Sequence, residues 1–352
     1  MSRPPLPAQR QRLIREALLR DGSITVAEVS RTLGVTETTV RRDINQLAEQ
    51  GVLVRVHGGA TALVNQPTTR HGSLPTSATM VVPTDDFHWG AIVAAVRAAA
   101  RAAELPLHVH RDDTLTPELL HRLADDAPHG WLLAPPLAAP ARDAFDDWLD
   151  RCPTPVVLLE REASPGVGLG VQSVASDHAR NAAAVVRHLN RLGHERIGMM
   201  VPAGGARADE YVRGWQQALI RRGLPVTPVL PSIDIIDPGR AELTDRVVEA
   251  LRTDRHTAVL VLGDPHAMVL LQICQEVGIA VPGDLSVVSF GDYMASWGHP
   301  ALNALRPPYE TLGATAVRLL LARMRGGSPA PGQHVRLEGT LVARETVAPP
   351  PS

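Results

Sequence analysis

The stretch from Thr36 to Asn45 combines side chains that suit contacts with nucleic acid. An arginine guanidinium can form two hydrogen bonds with O6 and N7 of guanine, and threonine hydroxyls suit phosphate oxygens. Val40, Ile44 and Leu47 follow the spacing of one buried helix face, which leaves the polar side chains largely on the outer face. The candidate DNA contacts on this helix are Thr36, Thr38, Thr39, Arg41, Arg42 and Asn45. A solvated helix face is the alternative for the Arg-Arg-Asp triplet taken alone.

The surrounding segments predict a winged helix-turn-helix domain. Helical spacing recurs in three segments, residues 9–22, 25–35 and 36–51. The sequence VLVRVHGGATAL then predicts two short strands around the Gly58-Gly59 pair, a two-residue hairpin signal. In such a domain the third helix enters the major groove by its N-terminal turn. Arg55 and His57, beside the hairpin turn, are further candidate DNA contacts.

Charge and composition agree with a DNA-binding module on an otherwise ordinary globular chain. The 352 residues are 44% hydrophobic and 20% charged, with a net charge of -2. Residues 1–60 nevertheless carry nine arginines against six acidic residues, a net of +3, so the remainder carries -5. There is no secretory signal pattern and no run of about 18 apolar residues, so we expect a cytoplasmic protein without membrane contact. The two cysteines, Cys152 and Cys274, are expected to be reduced and buried.

Beyond the first module, the chain divides into a linker and a large α/β body. Residues 64–77 are rich in Thr, Pro, Ser and Gly without helical spacing, which indicates a linker. Residues 78–347 alternate short, nearly continuous apolar runs with helical patterns. Such βαβ repeats predict a doubly wound parallel sheet, and a body of this length is expected to split into two lobes.

The first module resembles the DNA-binding half of DeoR-family regulators. The similarity lies in LGVTETTVRRDINQLAEQGVLVRVHGGA and covers about Arg12 to Ala60. It implies that the third helix and the Arg-x-His-Gly-Gly-Ala wing contact an operator. Asp43 is expected to orient an arginine or to cap backbone, because phosphate repels a carboxylate.

The body lacks the glycine-threonine signatures of the DeoR sugar-phosphate sensor and instead resembles the LacI/GalR sensor. That fold is shared with periplasmic sugar-binding proteins. The resemblance lies in DHARNAAAVVRHLNRLGHERIGMM, VRGWQQALIRRGLPV and the stretch from Gly278 to Gly327 with LVARETV after it. It spans roughly Val81 to Val347 and implies a homodimer with a ligand cleft between two lobes. The linker lacks the hinge-helix pattern of LacI proteins, so we expect no minor-groove insertion there.

Three positions that hold a sugar in that family differ in this sequence. Tyr211 replaces an arginine, Gly263 an asparagine and Gly291 an aspartate. Unpaired buried polar groups cost about 1–3 kcal/mol each, so these losses argue against ordinary sugar binding. We expect a wider, more apolar cleft and a larger, more aromatic or otherwise atypical effector, with an atypical carbohydrate derivative as one candidate. The alternative is that neighbouring residues supply the missing partners. The predicted effector-site residues are Asp86, Phe87, Trp89, Arg161, Tyr211, Asp264, Asp292, Trp297 and Tyr309.

Competing chemistries have weaker support in the sequence. His108 and His110 share a strand face with Asp112 nearby, a pattern that could bind a metal ion. We favour the interpretation that these residues simply form the end of a strand at the cleft or surface. No nucleophile-elbow, Ser-x-x-Lys or Walker pattern occurs, so no enzyme, metal or cofactor is predicted. The sequence therefore predicts a DNA-binding transcriptional regulator, a repressor controlled by a small-molecule effector in the cleft. The alternative is a DNA-binding regulator whose sensor has lost its ligand and acts through a protein partner.

Overall fold

A computed structural model gives the structure of the chain. It describes residues 10–11, 13–14, 17, 23–49, 53–56, 59–62, 77–84, 87–125, 128–136, 140–168, 170–202, 206–232, 240–325 and 333–351. The chain forms two compact units, residues 1–74 and 75–352. Within the described residues, no helix is both long enough and apolar enough to cross a membrane.

The first unit contains two complete helices, α1 (Val26–Leu33) and α2 (Glu37–Glu49). Residues 10, 11, 13, 14 and 17 are also helical, as the first helical pattern predicts. Thr25 and Glu28 form a capping box at the start of α1, and Gly34 ends that helix in the left-handed conformation. The buried core is made by Ile14, Ile24, Val26, Val29, Val40, Ile44 and Leu47. The predicted buried face of α2 is therefore confirmed.

The wing is a sheet of three strands, where the sequence predicted two. The strands are β1 (Ser23–Thr25), β2 (Leu53–Val56) and β3 (Gly59–Ala62), in the antiparallel order β1-β3-β2. β1 has only three residues, too few to show a strand period in the sequence. Val56 pairs with Gly59, so Gly59 belongs to β3 rather than to the predicted turn. Residues 57 and 58 lie outside the described part of the chain.

The second unit has two lobes, each built on its own sheet. The first lobe contains β4 (Ala78–Val82), β5 (Leu107–Arg111), β6 (Gly130–Leu133), β7 (Val156–Leu159), β8 (Gln172–Ser176) and β13 (His334–Leu337), in the all-parallel order β13-β8-β7-β6-β4-β5. Its helices are α3 (Phe87–Ala102), α4 (Pro117–Ala124), α5 (Ala141–Arg151) and α10 (Tyr309–Met324).

The second lobe has a five-stranded sheet in the order β14-β12-β11-β10-β9. Its strands are β9 (Ile197–Met200), β10 (Ala258–Leu262), β11 (Ser286–Phe290), β12 (Asn303–Arg306) and β14 (Thr340–Val342); only the β12–β14 pair is antiparallel. Its helices are α6 (His178–Arg191), α7 (Ala206–Ile220), α8 (Arg240–Thr253) and α9 (Asp264–Glu276).

The chain crosses between the lobes three times. The crossings follow β8, β12 and β13, so each lobe is assembled from separate parts of the sequence. The residues of β4, β6, β7, β10 and β11 are buried throughout, as expected for parallel strands covered on both faces. The predicted doubly wound, two-lobed α/β fold is confirmed, and the carboxyl ends of its strands meet at a cleft between the lobes.

Candidate functional site

Helix α2 presents its predicted polar residues on an outer face. Thr36, Thr38, Arg41, Arg42 and Asn45 are exposed and Thr39 is half-buried. The backbone amide of Thr39 donates to the Thr36 hydroxyl at 3.3 Å, which places Thr36 at the start of the helix. Arg41 lies 3.4 Å from Glu37, but both side chains are more than half exposed, so this pair holds Arg41 only weakly. The two arginines are thus available on a solvent-facing surface.

Asp43 is buried and holds α2 in place instead of facing outward. Its carboxylate is buried and accepts two hydrogen bonds from Arg10, from Nε at 2.7 Å and from Nη2 at 3.1 Å. Arg10 lies in the first helical segment, so the bidentate pair joins that segment to α2. The expectation that Asp43 orients an arginine agrees with this geometry, while Arg41 and Arg42, which precede it in the helix, remain exposed.

The wing positions are described only in part. Arg55 lies in β2 opposite Ala60, and its side chain is outside the described part of the structure. His57 lies outside the described residues altogether. The proposed contacts of the wing with DNA therefore remain sequence-based predictions.

The second unit encloses a cavity of about 380 Å³ between its lobes. This volume is within the range of about 300–1,000 Å³ that is usual for small-molecule sites. The first lobe contributes Phe87, His88 and Tyr309, and Pro307 lies on a crossing segment. The second lobe contributes Pro202, Arg207, Tyr211, Leu262, Gly263, Pro265, His266, Phe290 and Tyr293. Of the predicted effector residues, Phe87, Tyr211 and Tyr309 therefore line the cavity.

Aromatic rings dominate the cavity wall. The chain contains three phenylalanines and three tyrosines, and all of them except Phe145 line this one cavity. Phe87 and Tyr293, from opposite lobes, stack with ring centroids 5.1 Å apart and planes 14° apart. The Tyr211 and Phe290 rings lie 4.4 Å apart on the second lobe. This concentration of aromatic rings predicts a ligand that is apolar or planar.

The two glycines do not widen the cleft as the sequence suggested. A Cβ atom on Gly291 would lie 2.8 Å from both the Tyr293 ring and Asp264 Oδ1. A Cβ atom on Gly263 would lie 3.1 Å from His266 and 3.5 Å from the Tyr293 hydroxyl. Aromatic side chains thus occupy the space that side chains at 263 and 291 would need. Sequence reasoning missed Tyr293 and His266, because each lies two or three residues beyond the glycine that makes room for it.

Asp264 and Asp292 do not line the cavity and have structural partners. Asp264 is fully buried and accepts hydrogen bonds from the Ser289 hydroxyl, from the amide of Asp292 at 3.1 Å and from that of Met294 at 2.8 Å. The Asp292 carboxylate is bound at 2.6 Å by both Arg306 and Arg344. The two carboxylates fix the loop that carries Tyr293, which corrects their predicted role as effector ligands.

Trp89, Arg161 and Trp297, also predicted at the effector site, are not among the described residues that line the cavity. Trp89 is buried in the core of the first lobe, with the Arg161 guanidinium 5.9 Å from its ring centroid. Arg161 also donates to the carbonyl of Pro135. Trp297 follows β11 in a short 3₁₀ helix and is 68% exposed. Asp86 lies outside the described residues. Trp89 is thus a core residue of the first lobe and Trp297 a surface residue, and neither they nor Arg161 line the described cavity.

A buried polar cluster behind the wall links the two lobes. Glu160 follows β7 with a φ of 61°, an uncommon conformation for a residue with a side chain. Its Oε1 accepts from the Ser176 amide at 3.1 Å and hydroxyl at 2.9 Å, and its Oε2 lies 2.9 Å from His178 and 3.3 Å from His88. His88 in turn lies 3.1 Å from the Tyr309 hydroxyl. Because His178 begins α6 in the second lobe, this cluster crosses the base of the cleft.

The cluster perturbs the ionisation of its members. Burial lowers the pKa of His88, and the nearby Arg207 guanidinium lowers it further. Burial opposes ionisation of Glu160, but the two imidazoles outweigh it and hold the pKa of the carboxyl well below its ordinary value. Burial raises the pKa of Tyr211 and Tyr309. The tyrosines therefore remain neutral at physiological pH. This cluster was not predicted from the sequence; the signal that could have indicated it is a glutamate directly after an apolar strand, where the ligand loops of α/β folds lie.

The histidine pair His108 and His110, the alternative metal site, lies at a sheet edge. His108 and His110 lie on the edge strand β5, and Asp112 accepts hydrogen bonds from the amides of Thr114 and Leu115 in a turn. Among the described residues, no group of three or more histidine, cysteine, aspartate or glutamate side chains is placed to hold a metal ion.

Comparisons with known protein families match both units. Residues 10–66 match the DeoR-like helix-turn-helix domain, and residues 186–347 match the periplasmic binding protein-like domain. The HTH-type transcriptional regulator GalR of Salmonella typhimurium is 28% identical over 93% of this chain and 96% of its own length. The first match covers the helices and wing of the first unit, and the second covers most of the second lobe with the last elements of the first.

Solved structures match the second unit. The transcriptional repressor ascG of Escherichia coli has a TM-score of 0.65 and 20% identity, over 78% of this chain and 99% of its own. A LacI family transcriptional regulator from Enterococcus faecium, solved with bound ribose, has a TM-score of 0.64 and 22% identity, over 77% and 99% of the two chains. At these identities the structural likeness establishes the two-lobed fold.

Proposed function

We propose that this transcriptional regulator, which joins a DeoR-like helix-turn-helix domain to a LacI/GalR-type sensor, is a repressor controlled by a small molecule in the cleft. The observation that carries the proposal is the cavity between two lobes in a chain that also has a helix, α2, with exposed arginines and threonines on its outer face. Its relatives are regulators rather than enzymes. Because it acts on DNA, we place it in the cytoplasm.

The DNA-binding half of the proposal rests on α2. Its outer face combines two arginines with three threonines and Asn45, which suits base edges in the major groove and the neighbouring phosphates. Arg55 and His57 of the wing are proposed to lie beside the DNA backbone. We further propose that the protein binds as a homodimer to a two-fold symmetric operator, since the symmetry of an operator mirrors that of the dimer that binds it.

The sensing half rests on the geometry of the second unit. Both lobes contribute to the wall of the cavity, so a ligand that contacts both stabilises the closed arrangement of the lobes. It can shift that equilibrium only by its difference in affinity between the open and closed states. Since the chain crosses three times between the lobes, closure changes the orientation of the two lobes and thereby the surface that meets a dimer partner.

The proposal is tested by binding of the full chain to DNA from its own upstream region. Fluorescence anisotropy at several salt concentrations should give a linear fall of log affinity with log salt, with tighter binding than to unrelated DNA. Native mass spectrometry should show two chains per operator. Absence of preference for any upstream DNA would overturn the proposed function. The competing hypothesis of a partner-controlled regulator predicts that no small molecule raises the melting temperature.

A further inference from the structure

We infer that the effector is a planar aromatic acid of one or two rings, bound between the lobes. The inference deepens the proposed function, on which it rests, by giving the chemical class of the ligand. It depends on three features of the cavity: its aromatic walls, the sign of the charge that lines it, and the absence of carboxylates and amides among its described lining residues.

The walls suit a flat ring. Phe87 and Tyr293 approach the cavity from opposite lobes, and their ring planes are within 14° of parallel. At a centroid separation of 5.1 Å these two rings contact each other, so a ligand ring packs beside the pair rather than between its members. Tyr211 and Phe290 provide a second pair of rings on the wall of the second lobe. Offset-stacked and edge-to-face contacts with such rings favour planar ligands over saturated ones.

The charge of the wall suits an anion. Arg207 is the only arginine, aspartate or glutamate among the described lining residues. Its guanidinium lies close enough to lower the pKa of His88 and to act on both Tyr211 and Tyr309. Glu160, the nearest described carboxylate of the cluster, is held behind His88 by Ser176 and His178. A guanidinium in a mostly apolar cavity favours a carboxylate, which it can bind through two parallel hydrogen bonds.

The same wall is poorly suited to a free sugar. A pyranose buries several hydroxyl groups, and each unpaired one costs about tenfold or more in affinity. Asp264 and Asp292, each directly after one of the glycines 263 and 291, lie outside the wall and are engaged by the backbone and by two arginines. The polar groups of the wall are imidazoles, phenols and one guanidinium, which suit a ligand with few hydroxyls.

The test uses the full chain with named probes in calorimetry and thermal melting. Benzoate and 2-naphthoate are the aromatic acids; benzamide and 2-naphthamide remove the charge; cyclohexanecarboxylate removes the planar ring; D-galactose and D-ribose represent sugars. We expect an aromatic acid to raise the melting temperature and to bind at least tenfold more tightly than its amide, than cyclohexanecarboxylate and than either sugar. Tighter binding of a sugar, or no binding of any aromatic acid, would overturn the inference.

Two variants connect the probes to the cavity. Arg207→Gln should weaken binding of the aromatic acid at least tenfold and remove most of its advantage in affinity over the amide. Phe87→Leu should weaken binding of the acid and of the amide to the same extent. Arg187→Gln, an exposed arginine of α6 outside the wall, is the matched control and should change neither. Equal effects of Arg207→Gln and Arg187→Gln would overturn the inference. Operator binding measured in parallel keeps the two proposals apart, because it tests the regulator whatever the ligand is.

Discussion

The rings of Phe87 and Tyr293 stack across the cleft, with their centroids 5.1 Å apart and their planes at 14°. Phe87 begins α3 in the first lobe, and Tyr293 lies in the loop after β11 in the second. Each ring therefore stabilises the approach of one lobe to the other, and separation of the lobes exposes both. The pair therefore belongs to the wall of the cavity and also favours the closed arrangement of the two lobes over an open one.

This pair predicts a measurable coupling between Phe87→Ala and Tyr293→Ala. In urea unfolding of the full chain, a double-mutant cycle should give an interaction free energy of about 0.5–1.5 kcal/mol, as for other aromatic pairs. The control cycle combines Phe87→Ala with Ile220→Ala, an exposed apolar residue outside the cavity wall, and should give a value near zero. Additive effects of Phe87→Ala and Tyr293→Ala would show that the rings do not stack in solution.

Gly291 is expected to tolerate no side chain while Tyr293 is present. The added methyl of Gly291→Ala would overlap the Tyr293 ring and Asp264, so the free energy of unfolding should fall by about 1–3 kcal/mol. In a Tyr293→Ala background the loss should be smaller, because one of the two close contacts is gone. Gly90→Ala in α3 is the control: its Cβ atom would meet nothing within 4 Å, and stability should hold or rise.

The sequence predicted the elements of this cavity better than its contacts. Apolar runs and helical spacing predicted the parallel sheets and the helices, since burial on both faces leaves a strong pattern. Tyr211 and Tyr309 were predicted at the cavity and line it. Asp264 and Asp292 were predicted there too, but nothing in a single sequence shows that the backbone and two arginines already bind these carboxylates.

The two residues that follow β7 show again that the sequence predicts an element better than the contacts of its side chains. Arg161 was predicted at the effector site, whereas Glu160, one residue earlier, joins the cluster behind the wall. The left-handed backbone at Glu160 breaks the alternation of side chains that extends along β7, so the strand pattern cannot place the residue. Arg207 is the second residue of α7 and carries no motif of its own.

Arg42 is expected to contribute to base discrimination. Arg42→Ala should weaken operator binding by about 1–3 kcal/mol if it contacts guanine, and should reduce the preference for operator over mutated DNA. A phosphate contact at Arg41 would instead lower the salt dependence and weaken binding to all sequences alike. Arg101→Ala, an exposed arginine in the last turn of α3, is the control and should leave anisotropy titrations unchanged. Unchanged affinity in both Arg41→Ala and Arg42→Ala would contradict the assignment of α2.

Asp43→Ala should affect the first unit alone. It leaves the Arg10 guanidinium without its bidentate partner and frees α2 from the first helical segment, at a cost of about 1–3 kcal/mol. All five tryptophans of the chain lie beyond residue 74, so tryptophan fluorescence reports unfolding of the second unit only. We expect weaker operator binding with an unchanged fluorescence transition; a shift of that transition would contradict the local role of the pair.

Stability should fall as the pH drops below about 7, because burial lowers the pKa of His88, His194 and His256. A lowered pKa means that the unfolded chain binds these protons more readily than the folded one. Stability therefore rises with pH between each lowered folded-state pKa and the ordinary value of 6.5, and is lost as pH falls through that window.

His194 offers a direct check of this pH dependence. Its two ring nitrogens lie 2.9 Å from the Thr257 hydroxyl and 2.8 Å from the Ala348 carbonyl oxygen, which suits a neutral ring that accepts at one nitrogen and donates at the other. His194→Gln should lower stability at pH 7.5 but flatten its decline between pH 7.5 and 5.5, measured by urea unfolding at each pH. His121→Gln, at an exposed position in α4, controls for loss of a histidine. An unchanged slope in His194→Gln would show that this buried ring does not contribute to the acid sensitivity.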